Sequence, residues 1–127
     1  DHDLIANSLV GLVAQRLMRK VCLHCGREVA VTPQEQALLG KDITTIKRGT
    51  GCAHCNGTGY RGRIAVHEIV TIDRNIRRMI SRGAEIEEIE AYAREQQGMR
   101  SLKEKGLELV KQGVTTPEEL LRIAYYA

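Results

Sequence analysis

Four cysteines carry the strongest chemical signal in this 127-residue chain. They form two C-x2-C pairs, Cys22-Leu23-His24-Cys25 and Cys52-Ala53-His54-Cys55, with 26 residues between the pairs. Two residues between cysteines let one tight turn aim both sulfurs at a single ion about 2.3 Å away, and zinc favours four thiolates in a tetrahedron. The intervening loop exceeds the common ~15–20 residues. Closure cost grows only with the logarithm of length, so the excess costs well under about 1 kcal/mol. Gly26, Gly51 and Gly57 flank the pairs and free backbone amides to turn toward the sulfurs. Disulfides need an oxidising compartment, and nothing in the sequence signals secretion. A redox dithiol uses one C-x2-C motif rather than two. A metal site is therefore expected at Cys22, Cys25, Cys52 and Cys55, with zinc placed ahead of rubredoxin-like iron, which shares the spacing. Four cysteines leave no open coordination position, so the metal holds structure and does no chemistry. Without it, residues 22–55 have little core of their own.

The other candidates are weaker. His24 and His54 each directly precede a cysteine, where ligation is geometrically awkward, so they are expected to be exposed or to support the ligands. His67-Glu68 does not extend to H-E-x-x-H, because position 71 is Thr. No G-x-x-x-x-G-K-[S/T] occurs. Residues 57–62 fit G-x-G-x-x-G by letter but precede a strand and open no helix, so they fail as a nucleotide fingerprint. Arg61 and Arg63 beside those glycines offer a contact for phosphate or an acidic partner, against the plainer reading of a solvated turn. Arg74, Arg77, Arg78 and Arg82 share a helical face and read as solvated.

Residues 4–18 are expected to form a helix, with Leu9, Leu12, Val13 and Leu17 at helical spacing and so little polar face that it wants cover on most sides. At about 15 residues, with Asn7, Ser8, Gln15 and Arg16 inside, it is too short and polar for a membrane span. Residues 28–32 and 44–47 read as short strands. Thr32-Pro33-Gln34-Glu35 reads as a capping box opening a helix that ends at Gly40. In residues 63–73, Ile64, Val66, Val70 and Ile72 alternate as one face of a strand. Four punctuated helices follow. Asp73 caps the first, which ends near Gly83; residues 85–97 end at Gly98; Ser101-Leu102-Lys103-Glu104 opens one ending at Gly113; Thr116-Pro117 starts the last. The expected fold class is α+β: a small zinc-stapled β-containing subdomain, then a compact bundle of about four short helices.

Composition agrees with a small globular body. Apolar residues make up 43% and charged residues 28%, which excludes disorder. With four Tyr and no Phe or Trp, aliphatics must fill the core, and a staple is expected where they are scarce. Net charge is +3, with nine basic against five acidic residues in 1–63 and ten against eleven in 64–127. This asymmetry is too mild for a dedicated nucleic-acid module. The chain starts without Met in front of an apolar segment, as a piece of something longer would.

Several dispersed motifs resemble the cytoplasmic ATPases of type II secretion and type IV pilus assembly. These are residues 8–17 followed by Arg19 and the first cysteine pair, and Gly51-Cys52-x2-Cys55-Asn56-x2-Gly59-Tyr60-x-Gly62-Arg63 followed by His67-Glu68. Gly98-Met99-Arg100-Ser101-Leu102 with Gly106-Leu107, and Gly113-Val114-Thr115-Thr116-x-Glu118-Glu119, complete the set. The resemblance covers nearly the whole chain. It implies a fragment of a larger RecA-like ATPase: residues 1–20 end the ATPase core, 21–62 form the tetracysteine subdomain, 63–73 return to the core, and 74–127 form a helical subdomain. It implies a hexameric parent, peripheral to the cytoplasmic face of the bacterial inner membrane, that drives pilus or pseudopilus assembly through a polytopic platform protein. ATP and magnesium would bind upstream, so this segment would not hydrolyse ATP alone.

Two other classes compete. A zinc-ribbon nucleic-acid binder would want stacking aromatics, and only Tyr60 lies near the cysteines. A chaperone-like zinc module is suggested by Cys52-x2-Cys55-x-Gly57-x-Gly59, which matches the C-x-x-C-x-G-x-G repeat of J-domain co-chaperones. That repeat should recur four times, and it occurs here once.

Overall fold

A computed structural model describes residues 9–126, the side chains of Tyr125 and Tyr126 excepted. In chain order the elements are β1 (Val10–Val21), β2 (Gly26–Ala30), α1 (Pro33–Leu39), β3 (Thr45–Gly49), a 3₁₀ turn (Ala53–Cys55), β4 (Tyr60–Thr71), α2 (Arg74–Ser81), α3 (Ile86–Gln97), α4 (Leu102–Lys111) and α5 (Pro117–Tyr126). The fold is α+β, with two two-stranded sheets, β1 paired with β4 and β2 with β3.

The helix expected over residues 4–18 is corrected: from Val10 onward the chain is strand, while residues 4–8 lie outside the described residues. Pairing with β4 overrides the local pattern. The covered positions of β1 do not keep one parity, with Val13 half-covered and Met18 fully buried, so no period of two was visible. Leu9, Val10, Leu12 and Leu17 remain exposed, in keeping with the expected want of cover. In β4 the expected face holds: Val66 and Val70 are buried, and Ile64 and Ile72 are half-buried.

The helices start and stop where their caps dictate. Thr32 and Glu35 close a reciprocal capping box (3.1 and 2.8 Å) before α1. Asp73 accepts from the Ile76 amide at 2.8 Å to open α2, and Gly98 ends α3. The Thr116 hydroxyl accepts from the Glu119 amide at 3.3 Å to open α5.

The chain divides into two compact units. The first is Asp1–Gln15 with His67–Ser101, and the second is Arg16–Val66 with Leu102–Ala127. In the first unit Val70, Ile76, Met79, Ile89 and Ala93 form an aliphatic core, with Val13, Ile72 and Tyr92 at its edge. Asp73 ties that unit together, accepting hydrogen bonds from the Tyr92 hydroxyl (2.8 Å) and Gln97 Nε2 (3.0 Å) as well as from the cap. In the second unit β2 and β3 pair antiparallel from Gly26 opposite Gly49 to Ala30 opposite Thr45. Helices α4 and α5 belong to this unit, with Met18, Leu120 and Ile123 converging on Gly106. Glu119, 1% exposed, anchors it, accepting from the Arg19 amide (2.6 Å), from Arg19 Nε and Nη2 (3.1 and 3.0 Å) and from Arg122 Nη2 (2.9 Å).

Candidate metal centre

Each cysteine pair sits on a turn built by the local sequence. Gly26 N donates to the Cys22 carbonyl at 2.8 Å, and Gly57 N donates to that of Cys52 at 2.9 Å. The two turns are held together by Cys22 N donating to the Gly59 carbonyl (2.9 Å) and Thr50 N donating to the Cys25 carbonyl (3.3 Å). Asn56 takes the left-handed conformation, φ 54°, that ends the 3₁₀ turn and sends the chain toward β4.

The turns bring the four sulfurs together. All lie within 4.8 Å of one another, with Cys22–Cys52 at 3.7 Å, Cys25–Cys55 at 3.8 Å and Cys52–Cys55 at 3.7 Å. A tetrahedron with metal–sulfur distances of about 2.3 Å has edges of about 3.8 Å. A disulfide would need about 2.05 Å, and all four cysteines are free thiols. The quartet therefore fits a four-thiolate metal site and not a pair of crosslinks.

Backbone amides aim at the sulfurs: Cys52 N and Gly59 N donate to Cys55 Sγ (both 3.2 Å), and Gly51 N donates to Cys25 Sγ (3.3 Å). Burial opposes ionisation of Cys55, but these Cys52 and Gly59 amides and the neighbouring sulfurs bring its thiol down to about 6. Cys52 moves the other way, to about 11, because of burial and the sulfurs of Cys55 and Cys22 around it. Four thiolates crowded together need a cation to offset their mutual repulsion.

The remaining expectations find definite places. His24 and His54 are exposed and lie outside the quartet, their rings stacked 3.6 Å apart at 11°. His67 is half-buried on β4. Residues 57–59 form the turn into β4 and residues 60–62 are its first three residues, so the segment opens a strand and no helix. Arg61 and Arg63 are exposed at the start of β4.

Sequence reasoning missed the brace beside the quartet. Arg19 lies over the Tyr60 ring, its Cζ 4.0 Å from the centroid. The Tyr60 hydroxyl bonds Thr116 Oγ1 at 2.7 Å, the Thr115 hydroxyl donates to the Arg19 carbonyl (2.7 Å), and Val21 N donates to the Val114 carbonyl (2.8 Å). Nothing local in the sequence ties Glu119, in the first turn of α5, to Arg19, 100 residues away.

A family model described as "Type II/IV secretion system protein" matches residues 1–122. The chain is 43% identical, over 92% of its length, to the type IV pilus assembly ATPase PilB of Thermus thermophilus, of which it spans 14%. It is 39% identical, over 94% of its length, to the type II secretion system protein HxcR of Pseudomonas aeruginosa, spanning 22% of that protein. It is 34% identical, over 95% of its length, to a putative type II secretion system protein E of Escherichia coli, spanning 25%. The chain thus covers a quarter or less of each of these relatives, and it belongs to the type II/IV secretion system protein family.

Proposed function

We propose that this chain is the C-terminal region of a hexameric ATPase that powers assembly of a type IV pilus or a type II secretion pseudopilus. In that reading Cys22, Cys25, Cys52 and Cys55 hold a structural zinc ion. ATP and magnesium bind upstream in the whole protein. The exposed Leu9, Val10, Leu12 and Leu17 are the face that the rest of the ATPase core covers. Arg61 and Arg63 lie among the residues that contact other subunits or the polytopic platform protein. The whole protein works on the cytoplasmic face of the bacterial inner membrane, peripheral to it. Among the described residues no helix is long and apolar enough to cross a membrane, which accords with that place.

The observation that carries the reading is the sulfur tetrahedron inside a chain that matches the family over residues 1–122. A nucleic-acid role is disfavoured, because one face of Tyr60 is already occupied by Arg19 and its hydroxyl by Thr116. The test is Cys52→Ser in the full-length protein. Elemental analysis should show zinc lost, and pilus or secreted-protein output should fall with it. Normal output from a zinc-free variant would sink the proposal.

A further inference from the structure

Arg61 and Arg63 stand two residues apart at the start of β4, with Gly62 between them at φ 81°, and both line the same hollow. Most of the other arginines in structured parts of the second unit are neutralised. Arg48 pairs with Glu35 and Glu118, and both Arg19 and Arg122 pair with Glu119. Among the described residues neither Arg61 nor Arg63 makes an ion pair, and neither does Lys20.

Two hollows meet at Arg61. One, about 390 Å³, is lined by Arg19, Tyr60 and Arg63 with the loop residues between them. The other, about 360 Å³, is lined by Lys20, Leu23 and His24. No Asp or Glu lines either. Arg19 is a fixed wall, held by Glu119 beneath and Tyr60 alongside, so little side-chain freedom is lost there on binding. Leu23, 90% exposed at the tip of the first cysteine turn, sets an aliphatic side chain beside the cations.

We propose that these residues form a docking cleft for an acidic segment of a partner protein, with carboxylates bound at Arg61, Arg63 and Lys20 and an aliphatic residue packed on Leu23. The proposal rests on the partner-contact reading above and names the chemistry of that partner. Guanidinium forks match carboxylates in a bidentate geometry. The cations line two open hollows that meet at Arg61. The absence of any carboxylate among the lining residues calls for an acidic ligand, and the partner-contact reading above makes that ligand a protein segment rather than anionic lipid.

The test uses the full-length, zinc-loaded protein and a short fluorescein-labelled Glu-rich peptide containing one Leu, read by anisotropy. Binding should weaken about tenfold or more in R61E/R63E, the equivalent of losing one good charge-assisted contact. It should weaken with added salt and vanish for the peptide with Gln in place of Glu. R74E/R77E, on the exposed face of α2, should bind as the parent does. Zinc content of one per chain in R61E/R63E certifies the fold. Equal weakening by R74E/R77E, or no weakening by R61E/R63E, overturns the cleft. So does capture by phosphatidylglycerol vesicles that R61E/R63E abolishes while peptide binding is absent, or binding of inorganic phosphate alone at the same residues. If the peptide fails while Cys52→Ser still loses zinc and output, only the cleft falls. Normal output from Cys52→Ser removes the wider reading.

Discussion

Gly49 offers a sharp test of how the metal site is framed. It ends β3, and its Cα faces the Gly59 backbone so closely that a Cβ would lie 2.2 Å from the Gly59 carbonyl oxygen and 2.6 Å from its Cα. Favourable non-bonded contact begins near ~3.5 Å, so in Gly49→Ala the two backbones must part by roughly 1 Å. No side chain can rotate away to absorb this, because the obstacle is main chain on both sides. Gly59 is also not free to yield, as its N–H donates to Cys55 Sγ at 3.2 Å and its carbonyl accepts from Cys22 N at 2.9 Å. Moving Gly59 therefore weakens one bond to a ligand sulfur and one to a ligand backbone. Loss of such supporting contacts typically costs ~10–100-fold in metal affinity, about 1.4–2.7 kcal/mol. Competition for zinc against a chromophoric chelator should show that weakening in Gly49→Ala. Gly83→Ala is the control: its Cβ meets nothing within 4 Å, but its φ of +74° imposes left-handed strain of about 1 kcal/mol. It should lose stability and keep its zinc affinity. Zinc affinity of Gly49→Ala within about twofold of the parent would refute the reasoning, as would equal weakening in Gly83→Ala.

Chelation of the metal should abolish hydrogen-exchange protection in residues 22–55 while the core of α2 and α3 keeps its own; uniform loss would mean that the two units are not separately stabilised. Glu119→Ala should destabilise the second unit by about 2 kcal/mol in urea. Its half-exposed arginine partners are screened by water, so most of the loss comes from the orphaned Arg19 amide. For acid stability, burial would raise the Glu119 carboxyl, but Arg122 and the Arg19 amide and guanidinium overcome burial and hold it below its usual range. Arg48 does the same for Glu35, and for Asp73 the Ile76 amide, Tyr92 and Gln97 outweigh burial. All three contribute stability that is fully present above ordinary carboxylate values of about 4 and lost as pH falls through their lower folded values. An acid titration followed by circular dichroism should show this loss, and Glu119→Gln should blunt it; a flat profile would contradict the assignment. Asp73→Ala removes the cap of α2 and the acceptor for Tyr92 and should cost about 1–2 kcal/mol, read as faster exchange of the α2 amides with the cysteine turns unaffected.

What the sequence disclosed, and what it hid, follows the reach of each interaction. The caps at Thr32, Asp73 and Thr116 act over three residues, so the helices they open were legible. The cysteine quartet was legible because two short motifs suffice to define it, even though its halves are 30 residues apart. Strand β1 was misread because its partner β4 lies far along the chain and its aliphatic run suits a helix as well as a strand when read alone. The Arg19–Glu119 anchor spans 100 residues between two common charge types, and no motif marks it. Arg61 and Arg63 were singled out from their glycine neighbours, but the hollows they share with Arg19 and Lys20 exist only once β1 and β4 are paired.

The two units are threaded through each other in sequence, and this sets an order of events on the ribosome. The cysteine turns close over 30 residues, an interval of roughly 2–6 s at ~5–20 residues per second, whereas Arg19 must wait 100 residues for Glu119, roughly 5–20 s. During that interval the emerging chain has a complete set of thiols before it has the helix that covers Arg19 and Tyr60. A metal bound in that interval would hold the two cysteine turns, and with them the adjoining ends of β1 and β4, together until the last helix arrives.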